Sequence, residues 1–153
     1  MSKAEKSIEI KAPPEKIWEM LAFDKLPEWM DWLTKVEYTS EINAPEDKFR
    51  TSATAHGTPK TGPEFNCQFE VKESLEYEKI KHWIWERAKD KILGAFITYT
   101  LEPVDGATKL SFIAGDLVMP WGILGKIMGL FMLIANGRAF GKYLKNPKTI
   151  LEK

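Results

Sequence analysis

Ser7-Ile8-Glu9-Ile10-Lys11-Ala12-Pro13-Pro14-Glu15-Lys16-Ile17-Trp18 is the stretch whose reading decides the fold. Residues 6–12 alternate around Ile8 and Ile10, as a half-buried strand does. Pro13-Pro14-Glu15 then opens a helix, because a first turn has no use for the missing proline N–H and an early acid suits the positive helix end. Ile17, Trp18, Leu21 and Ala22 supply its apolar stripe. A strand and a helix therefore stand back to back at the start of the chain.

Downstream, Asp24 is placed to cap a second short helix, in which Leu26, Trp29, Met30 and Leu33 keep helical spacing past Pro27. The pattern then turns strand-like as far as Val118. Its runs are Val36-Tyr38-Ser40-Ile42, Thr51-Ala53-Ala55, Phe65-Cys67-Phe69-Val71, Ile80-His82-Ile84, residues 93–101, and Leu110-Phe112-Ala114. Turn residues separate them at Ala44-Pro45-Glu46-Asp47, between Gly57 and Gly62, and at Val104-Asp105-Gly106, which predicts six more strands in antiparallel succession. After Pro120 the period is helical again, with Leu130, Leu133, Gly137, Phe140, Leu144 and Leu151 on one face of a long terminal helix. Pro147 either kinks that helix or starts a separate turn.

The order strand, two short helices, six strands and long helix resembles the helix-grip fold of the START-like or Bet v 1-like superfamily of polyketide cyclases and lipid-transport proteins (SRPBCC). Ala12-Pro13-Pro14-Glu15-Lys16-Ile17-Trp18 is similar to its helix start, Leu26-Pro27-Glu28-Trp29-Met30 to its following "L-P-x-W" segment, and Gly137-Arg138-Ala139-Phe140 with residues 144–152 to its closing helix. The resemblance implies an α+β fold in which a curved antiparallel sheet of about seven strands wraps the terminal helix. It also implies a cavity between the two, and it prescribes no reaction.

Composition agrees with one folded domain over residues 1–153. Leu, Ile, Val and Phe make up about a quarter of the chain, above the ~20% floor of disordered sequences. Twenty-two basic and 22 acidic residues balance, which argues against a nucleic-acid binder. One cysteine and two histidines provide neither a disulfide nor a Cys/His zinc cluster, and a reducing cytoplasm is the expected compartment. Pro120, Gly122, Gly125, Lys126 and Gly129 interrupt the apolar run after Leu117 and argue against a membrane span.

A pocket between sheet and helix is the natural ligand site in such a fold. Trp29, Phe65, Phe69, Trp83, Trp85, Phe96, Met119, Ile127, Met128 and Phe131 are its expected lining, although the pattern leaves open which face of each strand is concave. His82, between two isoleucines, reads as a hydrogen-bonded core residue, His56 as a surface residue of a polar loop, and Cys67 as a small buried hydrophobe. Neither a phosphate loop nor paired metal carboxylates nor a serine elbow is present, so no catalytic residue, metal or cofactor is assigned. The leading expectation is a non-catalytic binder of a lipid, isoprenoid quinone or polyketide-like compound. A cyclase or dehydratase using His82, Glu86, Arg87 or Tyr99 is the alternative, and a co-chaperone or assembly module a third.

Charge is unevenly placed. Residues 117–151 contain no acid but carry Lys126, Arg138, Lys142, Lys145 and Lys148. A basic, apolar terminal helix can border a lipid-like pocket and approach an anionic membrane, each base adding about 1 kcal/mol.

Overall fold

The computed structural model describes residues 4–30, 33–59, 67–88, 91–118 and 146–152. Seven strands form a single sheet: β1 Ala4–Ile10, β2 Leu33–Tyr38, β3 Thr54–Pro59, β4 Cys67–Leu75, β5 Lys79–Ala88, β6 Lys91–Val104 and β7 Ala107–Val118. Their spatial order is β1-β7-β6-β5-β4-β3-β2, and every neighbouring pair is antiparallel. The curved antiparallel sheet of the helix-grip class is thus present. Consecutive strands β2 to β7 meander, whereas β1 and β2 occupy opposite edges. The link between them has to cross one face of the sheet, and it does so as helix α1, Pro14–Met20, followed by a 3-10 helix over Phe23–Glu28.

Helix α1 has the predicted opening, with Pro14 in its first turn, Glu15 beside it and no side-chain cap on Pro13. Seven residues are too few to hold a helix alone, and buried Ile17, Trp18 and Met20 fix it to the sheet. Asp24 does not act as the expected cap, because it lies inside the 3-10 helix. Its carboxylate instead accepts from the Tyr38 hydroxyl and from Lys48 Nζ, both at 3.1 Å. That tie joins the crossing segment to β2 and to the next loop.

The β2–β3 link also departs from expectation. Ala44-Pro45-Glu46-Asp47 opens a second 3-10 helix, Pro45–Phe49, with Asp47 Oδ2 accepting from the backbone of Asn43 and Ala44. Gly57 belongs to β3 rather than to the loop after it. A Cβ there would overlap the ring of Phe69, so glycine lets that ring lie flat on the strand. The β6–β7 turn is as read, with Gly106 at φ 71°.

The core lies on the face that α1 and the first 3-10 helix cover, hereafter the inner face. Ile10, Phe69, Val71, Ile80, Ile97, Tyr99, Leu110 and Phe112 meet Ile17, Phe23, Leu26 and Trp29 there, all nearly or wholly shielded from water. Residues 146–151 are helical and include Pro147. This turn is fixed by Asn146 Nδ2 donating to the Trp29 carbonyl (2.9 Å) and by Lys148 Nζ donating to the Glu9 carbonyl (2.9 Å). The expected long helix after Pro120 lies outside the described residues as far as residue 145.

Candidate functional site

β5 sets the site, because its residues alternate between the two faces of the sheet. Ile80, His82 and Ile84 share the inner face, while Lys81, Trp83 and Trp85 share the other. The inner row continues sideways from His82 to Val71 on β4, and to Ile97 and then Ala114 on the far side. The outer row from Trp83 runs to Glu70 on one side and Phe96 on the other. Trp83 and Phe96 stack at 4.5 Å between ring centroids, with Lys81 Nζ 4.7 Å over the Phe96 ring.

This arrangement divides the predicted lining. Trp29 and Phe69 are brought together on the inner face, each buried. Trp83, Trp85 and Phe96 stand on the opposite face, away from α1. Their register neighbours Glu70, Gln68 and Gly94 form a mixed polar row, whereas the His82 row is aliphatic from β4 to β7. Phe65, Met119, Ile127, Met128 and Phe131 lie outside the described residues.

His82 is in the core as expected, but without the expected hydrogen bond. It is wholly buried, and among the described residues neither Nδ1 nor Nε2 has a partner. Tyr99 Oη is likewise buried and unpartnered, and so is Trp85 Nε1 on the opposite face, among the described residues. His82 and Tyr99 are diagonal neighbours on adjacent strands, since His82 pairs with Ile97 and Tyr99 with Ile80. Their rings meet edge to face at 5.3 Å. Phe23 lies 4.5 Å from His82, Phe112 5.2 Å from Tyr99, and Trp29 stands edge-on to Tyr99 at 6.1 Å. Trp29 is not itself short of a partner, because its Nε1 donates to the Met20 carbonyl at 2.8 Å.

The electrostatics follow from burial. Loss of water disfavours the charged form and pushes the His82 imidazole down to about 3, so the ring is neutral at ordinary pH. The same desolvation raises the Tyr99 phenol far above its usual value. The site is therefore a neutral donor–acceptor pair enclosed by aromatic rings. At neutral pH its imidazole is a weak base. Glu86 and Arg87 fall in β5, but their side chains lie outside those described. The same holds for Cys67. His56 is a half-buried residue of β3, not of a loop.

The family pattern for polyketide cyclase / dehydrase and lipid transport matches residues 1–152. The chain belongs to that family. No curated protein matches the sequence closely enough to carry an argument. Among solved structures, the Aha1 dimer from Colwellia psychrerythraea is 20% identical with a TM-score of 0.68, covering 99% of this chain and 97% of that one. A Bacillus halodurans protein is 14% identical with a TM-score of 0.69, over 99% and 97%. The di-domain ARO/CYC BexL of the BE-7585A biosynthetic pathway is 16% identical with a TM-score of 0.70, this chain spanning 47% of its length. Identities this low speak for a shared fold and no more. Among the described residues, no group of three His, Cys, Asp or Glu could hold a metal ion, and no helix is long and apolar enough to cross a membrane.

Sequence reading missed Phe23 and Phe112, and it named Tyr99 only for the enzyme alternative. The signal was available in part, since Tyr99 falls on alternate positions with Ile97 and Leu101. A cleft of about 710 Å³ was not foreseen. It lies between α1, the second 3-10 helix and the β4–β5 turn, with Trp18, Phe49 and Tyr77 as walls and Glu15, Glu19 and Glu46 at the rim. Tyr77 forms its turn at φ 62° without any glycine to announce it.

Proposed function

We propose that the protein binds a small hydrophobic molecule, such as a lipid, isoprenoid quinone or polyketide-like compound, against the inner face of the sheet. One observation carries this reading: three polar atoms of His82 and Tyr99 are buried among aromatic rings with no partner. Each such atom costs about 1–3 kcal/mol, a large fraction of the ~5–15 kcal/mol by which a domain is stable. A ligand with an apolar body and a polar group satisfies them by reaching the pair with its polar end. The family's description, which includes lipid transport, supports the same reading.

The test is intrinsic fluorescence. Titration with fatty alcohols or a hydrophobic dye is expected to change tryptophan emission with saturation. Trp29→Phe should remove most of the change, because Trp29 stands against Tyr99, and Trp83→Phe on the outer face should not. A non-saturating response to every probe would show a filled core and overturn the reading.

A cyclase or dehydratase would use the same His82–Tyr99 pair for proton transfer. Burial that leaves His82 a weak base near neutral pH favours binding over that chemistry. An assembly module needs a broad exposed apolar face, and among the described residues the exposed large hydrophobics are Leu75, Tyr77 and Ile150. Exchange of ligand at an anionic membrane belongs to the binding reading, supported by the basic run of Lys126, Arg138 and Lys142. Co-sedimentation with anionic but not neutral vesicles, weakening with salt, is the expected behaviour.

A further inference from the structure

We infer that the ligand of the inner face is electrically neutral and presents a hydroxyl or ketone oxygen, which His82 and Tyr99 receive. The inference rests on the binding reading above and adds the charge and the polar chemistry of the ligand.

A neutral imidazole offers one N–H and one lone pair, and a phenol offers one O–H and accepts in return. A ligand hydroxyl can accept from one member of the pair and donate to the other. A ketone oxygen can accept from both. Either leaves the apolar remainder of the molecule against Phe23, Trp29 and Phe112, whose rings surround the pair.

A carboxylate is a poor fit for the same place. An ionised group buried away from water requires a counter-charge. The buried polar side chains among the described residues are His82, Thr108 and Ser111, none of them a permanent cation. Val71 and Ile97 flank His82 in register, and Phe23 packs on it from the crossing segment, so no charged group faces it from these elements. Desolvation keeps His82 itself neutral. Thr108 is already committed, donating to the Ala12 carbonyl at 2.8 Å.

Tyr99→Phe tests this without disturbing the fold. It removes an oxygen that has no protein partner, so the free protein should be as stable as before or more so. Calorimetry with 2-naphthol, 2-naphthoate and naphthalene near neutral pH supplies the readout. The expected result is that 2-naphthol binds on the order of tenfold more tightly than 2-naphthoate, a preference that buried unpaired charge imposes. Its advantage over naphthalene should shrink in Tyr99→Phe and in His82→Leu, with melting temperature maintained. Equal or tighter binding of 2-naphthoate would overturn the inference and leave the binding reading in place. Unchanged 2-naphthol affinity in both variants would also overturn it. Failure of all three probes, together with a non-saturating fluorescence response to long-chain alcohols, would overturn the binding reading and this inference with it.

Discussion

His82 connects burial to a measurable pH dependence. In the unfolded chain its imidazole titrates near the ordinary value of about 6.5. In the fold, burial pushes it down to about 3. Above about pH 6.5 both states are neutral and His82 adds no pH dependence. As pH falls below that value, the unfolded state takes up a proton that the folded state refuses, so stability declines through the window from about 6.5 toward 3. Between about pH 7.5 and about pH 5 the loss should be about 2 kcal/mol. His82→Leu is expected to flatten this part of the profile in chemical denaturation, and to hold or raise stability at neutral pH by removing two unpartnered atoms. His56 is present in both proteins, so the difference between their profiles isolates His82. Coincident profiles would show that His82 is protonated or solvated in the fold.

At the scale of elements, the outer face of β5 and β6 is built around a glycine. A Cβ on Gly94 would stand 2.8 Å from both the Ile84 carbonyl oxygen and Trp85 Cβ, and 2.5 Å from the Trp83 ring. Trp83 thus lies over bare backbone on its way to stacking with Phe96. Backbone and Cβ atoms do not swing aside as a flexible side-chain end does, so Gly94→Ala should cost about 1–3 kcal/mol. Urea denaturation should show the shift in midpoint at unchanged slope. Because the tryptophans face away from His82, ligand affinity per folded molecule should be unaffected.

The same two strands explain what was legible in the sequence. Period-two alternation identifies β5 and β6, and it separates the isoleucines from the tryptophans. It cannot say which set faces the helices, because that depends on where α1 and the 3-10 helix cross. Aromatic content pointed to Trp83, Trp85 and Phe96, whereas the row of His82 has the aliphatic neighbours on both sides. Asp24 shows a comparable limit. Its position before an apolar run resembles a helix cap, but its role is set by Tyr38 and Lys48, 14 and 24 residues away in the chain. Tyr77 adopts a left-handed turn conformation that glycine or asparagine would have announced. The strand-to-helix switch at Pro13-Pro14-Glu15 was readable because its physics is local.

For the whole molecule, the topology places the crossing helices on one face of the sheet. With β1 and β2 at opposite edges, the crossing segment and the chain that returns at Asn146 occupy the same side of the sheet. Helix and sheet meet there, and there the unpartnered groups of His82 and Tyr99 lie. The measurement that tests this most directly is a two-dimensional ¹H–¹⁵N NMR titration with a fatty alcohol, following the tryptophan indoles and the His82 ring. Saturable shifts of Trp29 and His82, with Trp83 and Trp85 unmoved, are the predicted result. Movement of Trp83 and Trp85 with Trp29 and His82 unchanged would place the ligand on the outer face and contradict the account.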